Sequence, residues 1–149
     1  MNNITAKAQT VVRASPLAVF NAFIDGKTMS KFWFTRRDER LHEGMTVSWF
    51  IGQAEDAYAI EVNVVELRQP DLIRIEWWGG EYFTQVLWKI LQTDDGHTIL
   101  AIEESGFKGS EDEIVSNALN STGGFNQVII ALKALLEHET IINVVDDHV

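Results

Sequence analysis

The chain opens with a loose alternation, Ile4, Ala6 and Ala8 against Thr5, Lys7 and Gln9, which predicts a first strand over Ile4–Arg13. Ser15 is a residue type that caps helices, and Pro16 suits a first helical turn, where its missing N–H leaves no bond unmade. Leu17, Phe20 and Ile24 recur at helical spacing with Val19 and Phe23 beside them, and Asp25-Gly26 stops the run. A second short helix is expected over Met29–Phe34. From Gly44 the period becomes two. Val47, Trp49 and Ile51 form one alternating set; Ile60, Val62 and Val64 form the next. The turn at Arg68-Gln69-Pro70-Asp71 leads to Ile73, Ile75 and Trp77, and Gly79-Gly80 ends that run. Val86, Trp88 and Ile90 follow, then the hairpin signal Asp94-Asp95-Gly96, then Leu100 and Ile102. Short turns between such runs predict an antiparallel meander. Phe50, Leu72 and Trp78 fall on the face read as outward.

After Gly106 the period changes again. Phe125, Val128, Ile129, Leu132, Leu135 and Leu136 predict a long amphipathic helix over Asp112–Glu137. Gly123-Gly124 lies inside it. Two adjacent glycines cost a helix interior roughly 1–2 kcal/mol relative to Ala, so a close approach to the sheet, a kink or room for another molecule is expected there.

The element order gives an α+β fold in which the long helix covers one face of the sheet. The first half of that helix is poor in large apolar groups (Ser116, Asn117, Ser121, Thr122), whereas the facing strands carry Trp49, Trp77 and Trp88. A groove with aromatic walls and a floor of small residues is one reading. A core filled by the tryptophans is the other, and pattern leaves both open.

Composition narrows the function. The chain has 149 residues, the size of one domain, with a core expected over about residues 4–138 and an acidic tail. There is no cysteine, which excludes disulfides, thiol nucleophiles and Cys-ligated zinc. The net charge is −10, from 12 Lys+Arg against 22 Asp+Glu, which disfavours nucleic acid and anionic lipid. No stretch has the length of a membrane span, and the opening residues lack a basic segment followed by an apolar one, so a cytoplasmic protein without membrane insertion is expected. His42, His97, His138 and His148 lie in different elements without ligand spacing, so no metal or other cofactor is expected. There is no Gly-x-Ser-x-Gly, and Ser105 sits at a strand end. Arg36, Arg37 and Arg40 share a loop with Asp38 and Glu39, and this mix of signs reads as solvated surface.

Several stretches, in order, carry a resemblance. Val11-Val12-Arg13-Ala14-Ser15-Pro16-Leu17-Ala18-Val19-Phe20 resembles the opening strand-to-helix motif of the START-like (SRPBCC) superfamily. Phe32-Trp33 falls where its second short helix ends, and Ile60–Trp77, with Glu66, Pro70 and Trp77, resembles its central hairpin. Glu104-Ser105-Gly106-Phe107 is similar to the motif ending its last strand. Gly123-Gly124-Phe125 with Leu132-Lys133-Ala134-Leu135-Leu136 is similar to the closing helix of one branch, the activator of heat-shock-protein-ninety ATPase homologues, which usually has Gly-Trp where this chain has Gly124-Phe125. The resemblance covers roughly Ile4 to His138. It implies a helix-grip fold: a curved antiparallel sheet around the C-terminal helix, two short helices after the first strand, and a hydrophobic cavity between sheet and helix. Superfamily members bind lipids, sterols or polyketides, some are aromatases or cyclases, and the eukaryotic namesakes stimulate a chaperone ATPase.

On that basis a small hydrophobic or aromatic ligand is expected between sheet and helix. Trp49, Val62, Ile75, Trp77, Val86, Trp88, Ile102, Phe125 and Ile129 would line the cavity, and Trp33 would close one mouth. Glu104 is the one acid–base candidate. Period-two alternation sends it the way of Leu100 and Ile102, into a partly desolvated position; a bulge at the strand end would instead turn it to water, and this second outcome is favoured because buried carboxylates are rare. Tyr58 and Tyr82 could donate to a ligand from inside or from the rim. Binding is expected in preference to catalysis, with no catalytic residue assigned. The alternatives are a module acting on a chaperone ATPase and a cyclase, dehydratase or hydrolase using Glu104 or a tyrosine. The outward apolar residues make a homodimer conceivable.

Overall fold

The structure is a computed structural model that describes residues 4–34, 39–51, 58–145 and 147. The element order is β1 (Ala6–Val12), α1 (Pro16–Ile24), α2 (Gly26–Met29), β2 (Thr46–Ile51), β3 (Tyr58–Arg68), β4 (Leu72–Trp78), β5 (Phe83–Gln92), β6 (Thr98–Ser105) and α3 (Glu111–His138). One six-stranded sheet runs in the order β1-β6-β5-β4-β3-β2, antiparallel throughout. β2 to β6 form the meander that the alternation predicts, and β1 closes it beside β6. The inward residues Val62, Ile75, Val86, Trp88, Leu100 and Ile102 are buried and share one cluster with Phe125, Val128, Ile129 and Leu132 of α3. This is the helix-grip arrangement.

Local chemistry sets the helix boundaries. Ser15 caps α1 by accepting from the Ala18 N–H at 3.2 Å, with Pro16 in the first turn. Asp25 ends α1 in an extended conformation and starts α2 at once. Its carboxylate accepts from Thr28 Oγ1 at 2.7 Å, and this bond, aided by the backbone of Lys27 and Thr28 and the charge of Arg40, holds the carboxyl below its ordinary range. The second helix is therefore Gly26–Met29, earlier than the expected Met29–Phe34. Phe32, Trp33 and Phe34 follow in irregular backbone, which lets three consecutive aromatic rings all pack inward, with Phe32 and Phe34 fully buried. A helix would have spread them around its axis.

α3 is anchored at both ends. Ser110 and Glu113 form a capping box, and Glu111, Asp112 and Glu113 place negative charge at the positive end of the helix dipole. Near its other end, Glu137 accepts from the Arg13 N–H and from Lys133 Nζ, each at 2.9 Å, and Lys133 also donates to the Val11 carbonyl. Burial alone would push the Glu137 carboxyl up. The Arg13 N–H, the Lys133 hydrogen bond and the two positive charges outweigh burial and hold it below the usual glutamate range.

Gly123 and Gly124 show neither the close approach to the sheet nor the kink that their cost suggested. α3 runs through them without interruption, both face solvent, and a Cβ at either would meet nothing within 4 Å. The capping box and the packed second half of the helix offset their cost. Among the described residues, no helix is long and apolar enough to cross a membrane.

Two outcomes are expected. Gly123→Ala and Gly124→Ala should each stabilise the fold by about 0.8–1 kcal/mol, read as a rise of roughly 3 °C in the thermal midpoint. Glu137 has a depressed folded pKa, so its contribution is complete above the ordinary value of about 4.3 and is lost as pH falls through the lower folded value. In urea unfolding, the wild type should exceed Glu137→Gln at pH 7, with the gap narrowing below about pH 4; a gap that ignores pH would remove this role.

Candidate functional site

Three neighbouring strands bring Trp77, Thr84 and Glu104 together. Trp77 pairs with Thr84 across β4 and β5, and Glu104 pairs with Val86 across β5 and β6. β6 keeps its register through Glu104, which also pairs with Ala6 of β1, so no bulge turns the carboxyl outward. Alternation therefore leaves it on the concave face behind Leu100 and Ile102, and Glu104 is 4% exposed. The expectation that it reaches water is corrected. Its neighbour Glu103 takes the other face and pairs with Lys89 at 3.1 Å.

Glu104 is held on one side only. Its Oε2 accepts from Thr84 Oγ1 at 2.5 Å and from Trp77 Nε1 at 3.0 Å. Its Oε1 is buried and has no hydrogen-bond partner among the described residues. Burying a carboxylate oxygen without a donor is costly, and such atoms are rare in folded proteins.

Glu104 lines a cavity of about 600 Å³ between the sheet and the first half of α3. The sheet side is made by Gly79, Glu81, Tyr82 and Thr84, and the segment after β6 adds Phe107 and Lys108. The helix side is made by Asp112, Glu113, Ser116, Asn117, Asn120 and Ser121. The cause lies in the sequence of α3: Ala118 is the only residue before Phe125 that the helix buries. With Ser and Asn where Leu or Phe would be needed, this half cannot pack onto the sheet. Tyr82 donates its hydroxyl to the Lys108 carbonyl at 3.2 Å, and Lys108 Nζ lies 5.7 Å from the centre of the Tyr82 ring.

Of the residues expected to line a cavity, Glu104 alone lines this one. Trp49, Val62, Ile75, Val86, Trp88, Ile102, Phe125 and Ile129 are buried in the core, with Trp33 and Trp77 packed against it. Trp33 sits within ring contact of Trp49, Trp77, Trp88 and Phe125, at centroid distances of 5.7, 5.9, 6.1 and 6.2 Å. Trp77 stacks on Phe125 at 6.0 Å with an 8° interplanar angle. The cavity lies further toward the N-terminus of α3 than the glycine pair, at Asp112 to Ser121. Tyr82 lines it, whereas Tyr58 is exposed at the start of β3. Thr84, Glu81 and Asn120 carried no sequence signal; Ser116, Asn117 and Ser121 carried one in their small size. Arg40 donates to Asn21 Oδ1 at 3.2 Å, while Arg36, Arg37, Asp38 and His148 lie outside the described residues. Among the described residues, no group of three His, Asp or Glu side chains is placed to hold a metal.

Fold and site together define a helix-grip domain with a cleft between the sheet and its closing helix. The pattern of the family described as activator of Hsp90 ATPase homolog 1-like protein matches residues 13–137, and the chain belongs to that family. No curated protein matches the chain by sequence. Among solved structures, it is similar to the protein SSP2350 from Staphylococcus saprophyticus, with a TM-score of 0.77 at 23% identity, over 93% of this chain and 96% of that one. It is similar to the Aha1 dimer from Colwellia psychrerythraea, with a TM-score of 0.74 at 14% identity, over 91% of this chain and 97% of that one. DynU16, a putative protein in the dynemicin biosynthetic locus, gives a TM-score of 0.75 at 16% identity, over 92% of this chain and 48% of that one. At these identities the likeness concerns the fold.

Thr84→Val removes one of two donors to a buried carboxylate at almost constant volume. It should cost about 2 kcal/mol in urea unfolding, with Thr84→Ser retaining most of the stability. Equal stability of the Val and Ser variants would deny the hydrogen bond any weight.

Proposed function

We propose that this protein binds a small organic molecule in the cavity between the sheet and the first half of α3. The observation that carries the reading is Glu104, buried in the cavity wall with one oxygen bonded to Thr84 and Trp77 and the other without a partner. A wall built for packing alone would place an apolar residue there. A volume of about 600 Å³ falls in the range of small-molecule sites. The lining combines two rings, Tyr82 and Phe107, with amide and hydroxyl groups from Asn117, Asn120, Ser116 and Ser121. That composition suits a ligand with a ring system and several polar substituents better than a wholly apolar lipid. The tryptophans act behind the site: Trp77 orients Glu104 through its indole N–H, and Trp33 and Phe125 brace Trp77. The solved neighbour from a biosynthetic locus is in keeping with a role near small-molecule metabolism.

A library of ring compounds bearing polar groups, screened by protein-observed NMR, tests this. Ligands are expected to move the amide signals of Thr84, Glu104, Asn117 and Asn120 together. Ser121→Phe, which fills the cavity from the helix side, should weaken such ligands at least tenfold while the unfolding midpoint stays near that of the wild type. Binding that perturbs other regions, or that ignores Ser121→Phe, would remove the cavity from the function.

A further inference from the structure

We infer that the ligand of this cavity carries a protonated amine, seated against the Glu104 carboxylate; the inference rests on the binding role just proposed and adds the chemical class. Both donors to the carboxylate, Thr84 Oγ1 and Trp77 Nε1, reach the same oxygen. They are neutral, so they orient the carboxylate without matching its charge. No Lys, Arg or His among the described residues forms an ion pair with Glu104, although ion pairs connect Glu103, Glu66 and Glu137 to cations elsewhere. The described residues thus supply donors to one carboxylate oxygen, leave the other without one, and omit the cation.

The surroundings agree in sign. Glu81, Asp112 and Glu113 join Glu104 in the lining against Lys108 as the only basic residue. Asp112 and Glu113 are partly matched by the dipole of α3, so the acidic ring alone would decide little. The buried, unpartnered Oε1 supplies the direction. A cation drawn toward the lining meets Glu104, a carboxylate in the wall that lacks a cation of its own, in a setting where a charge-assisted bond outweighs a neutral one. A ligand carboxylate or phosphate would instead be brought against Glu104, Glu81, Asp112 and Glu113, with Lys108 as the one cation in the lining.

Three probes of one shape separate the cases: 2-(2-naphthyl)ethylamine, charged at neutral pH, 2-(2-naphthyl)ethanol and 2-naphthylacetate. Their dissociation constants are measured at pH 7 by NMR titration on the signals of Thr84, Asn117 and Asn120. The amine should bind at least about tenfold more tightly than the alcohol, the acetate should be weakest, and Glu104→Gln should bring amine and alcohol within about twofold of each other. Alcohol or acetate equal to the amine on the wild-type protein, with the cavity signals moving, would overturn the amine while leaving the cavity as a binding site. A preference for amine that survives Glu104→Gln would also overturn it. If none of the three moves the cavity signals, the binding role falls and the amine with it. The wild-type comparison needs no variant, so it stands even if Glu104→Gln folds poorly.

Discussion

The architecture depends on how the concave face of the sheet is filled. The concave face is apolar where Val62, Ile75, Trp88 and Ile102 line it, and α3 buries large apolar side chains only from Phe125 onward. Over that half, helix and sheet meet directly, and the irregular segment after α2 adds Phe32, Trp33 and Phe34 to the same volume. Over the other half there is nothing to meet. One packed half and one open half follow from a single change in the composition of one helix.

Trp77 stands at the boundary and belongs to both halves. Its ring stacks on Phe125, and its indole N–H reaches Glu104 in the cavity wall. The dry aromatic cluster therefore serves the cavity by fixing the orientation of a buried carboxylate, which the strands alone would leave free to rotate. The open half of α3 does not rely on packing for its helicity. It is supported by the capping box at Ser110 and Glu113, and the far end is pinned to β1 through Lys133, Glu137 and Arg13. A wall held from its ends can face a cavity without collapsing onto the sheet.

Membership of the family settles the fold and leaves the chemistry to the lining. Helix-grip domains share the clasp of sheet on helix, and solved relatives less than a quarter identical share it with this chain. What the lining of this chain offers is set by the side chains its open half presents. Here these are carboxylates, amides and hydroxyls around two rings, with a buried glutamate at the sheet.

The strands, the long helix and their order were legible in the sequence because burial on one face imposes a period that survives in the residue pattern, as Val86, Trp88 and Ile90 or Val128, Ile129 and Leu132 display. The small side chains of Ser116, Asn117 and Ser121 marked where the helix would stand away from the sheet. The tertiary structure decided three other matters. It moved the short second helix to Gly26–Met29, because Asp25 and Thr28 close that turn early. It set the tryptophans against one another instead of around a void, since the distance between rings on separate strands follows from curvature and not from sequence spacing. It also carried β6 through Glu104 without a bulge and brought Thr84 and Trp77 to one of its oxygens. Periodicity assigns a residue to a face, but the partners it finds there come from other strands, and only their pairing register determines which atoms meet.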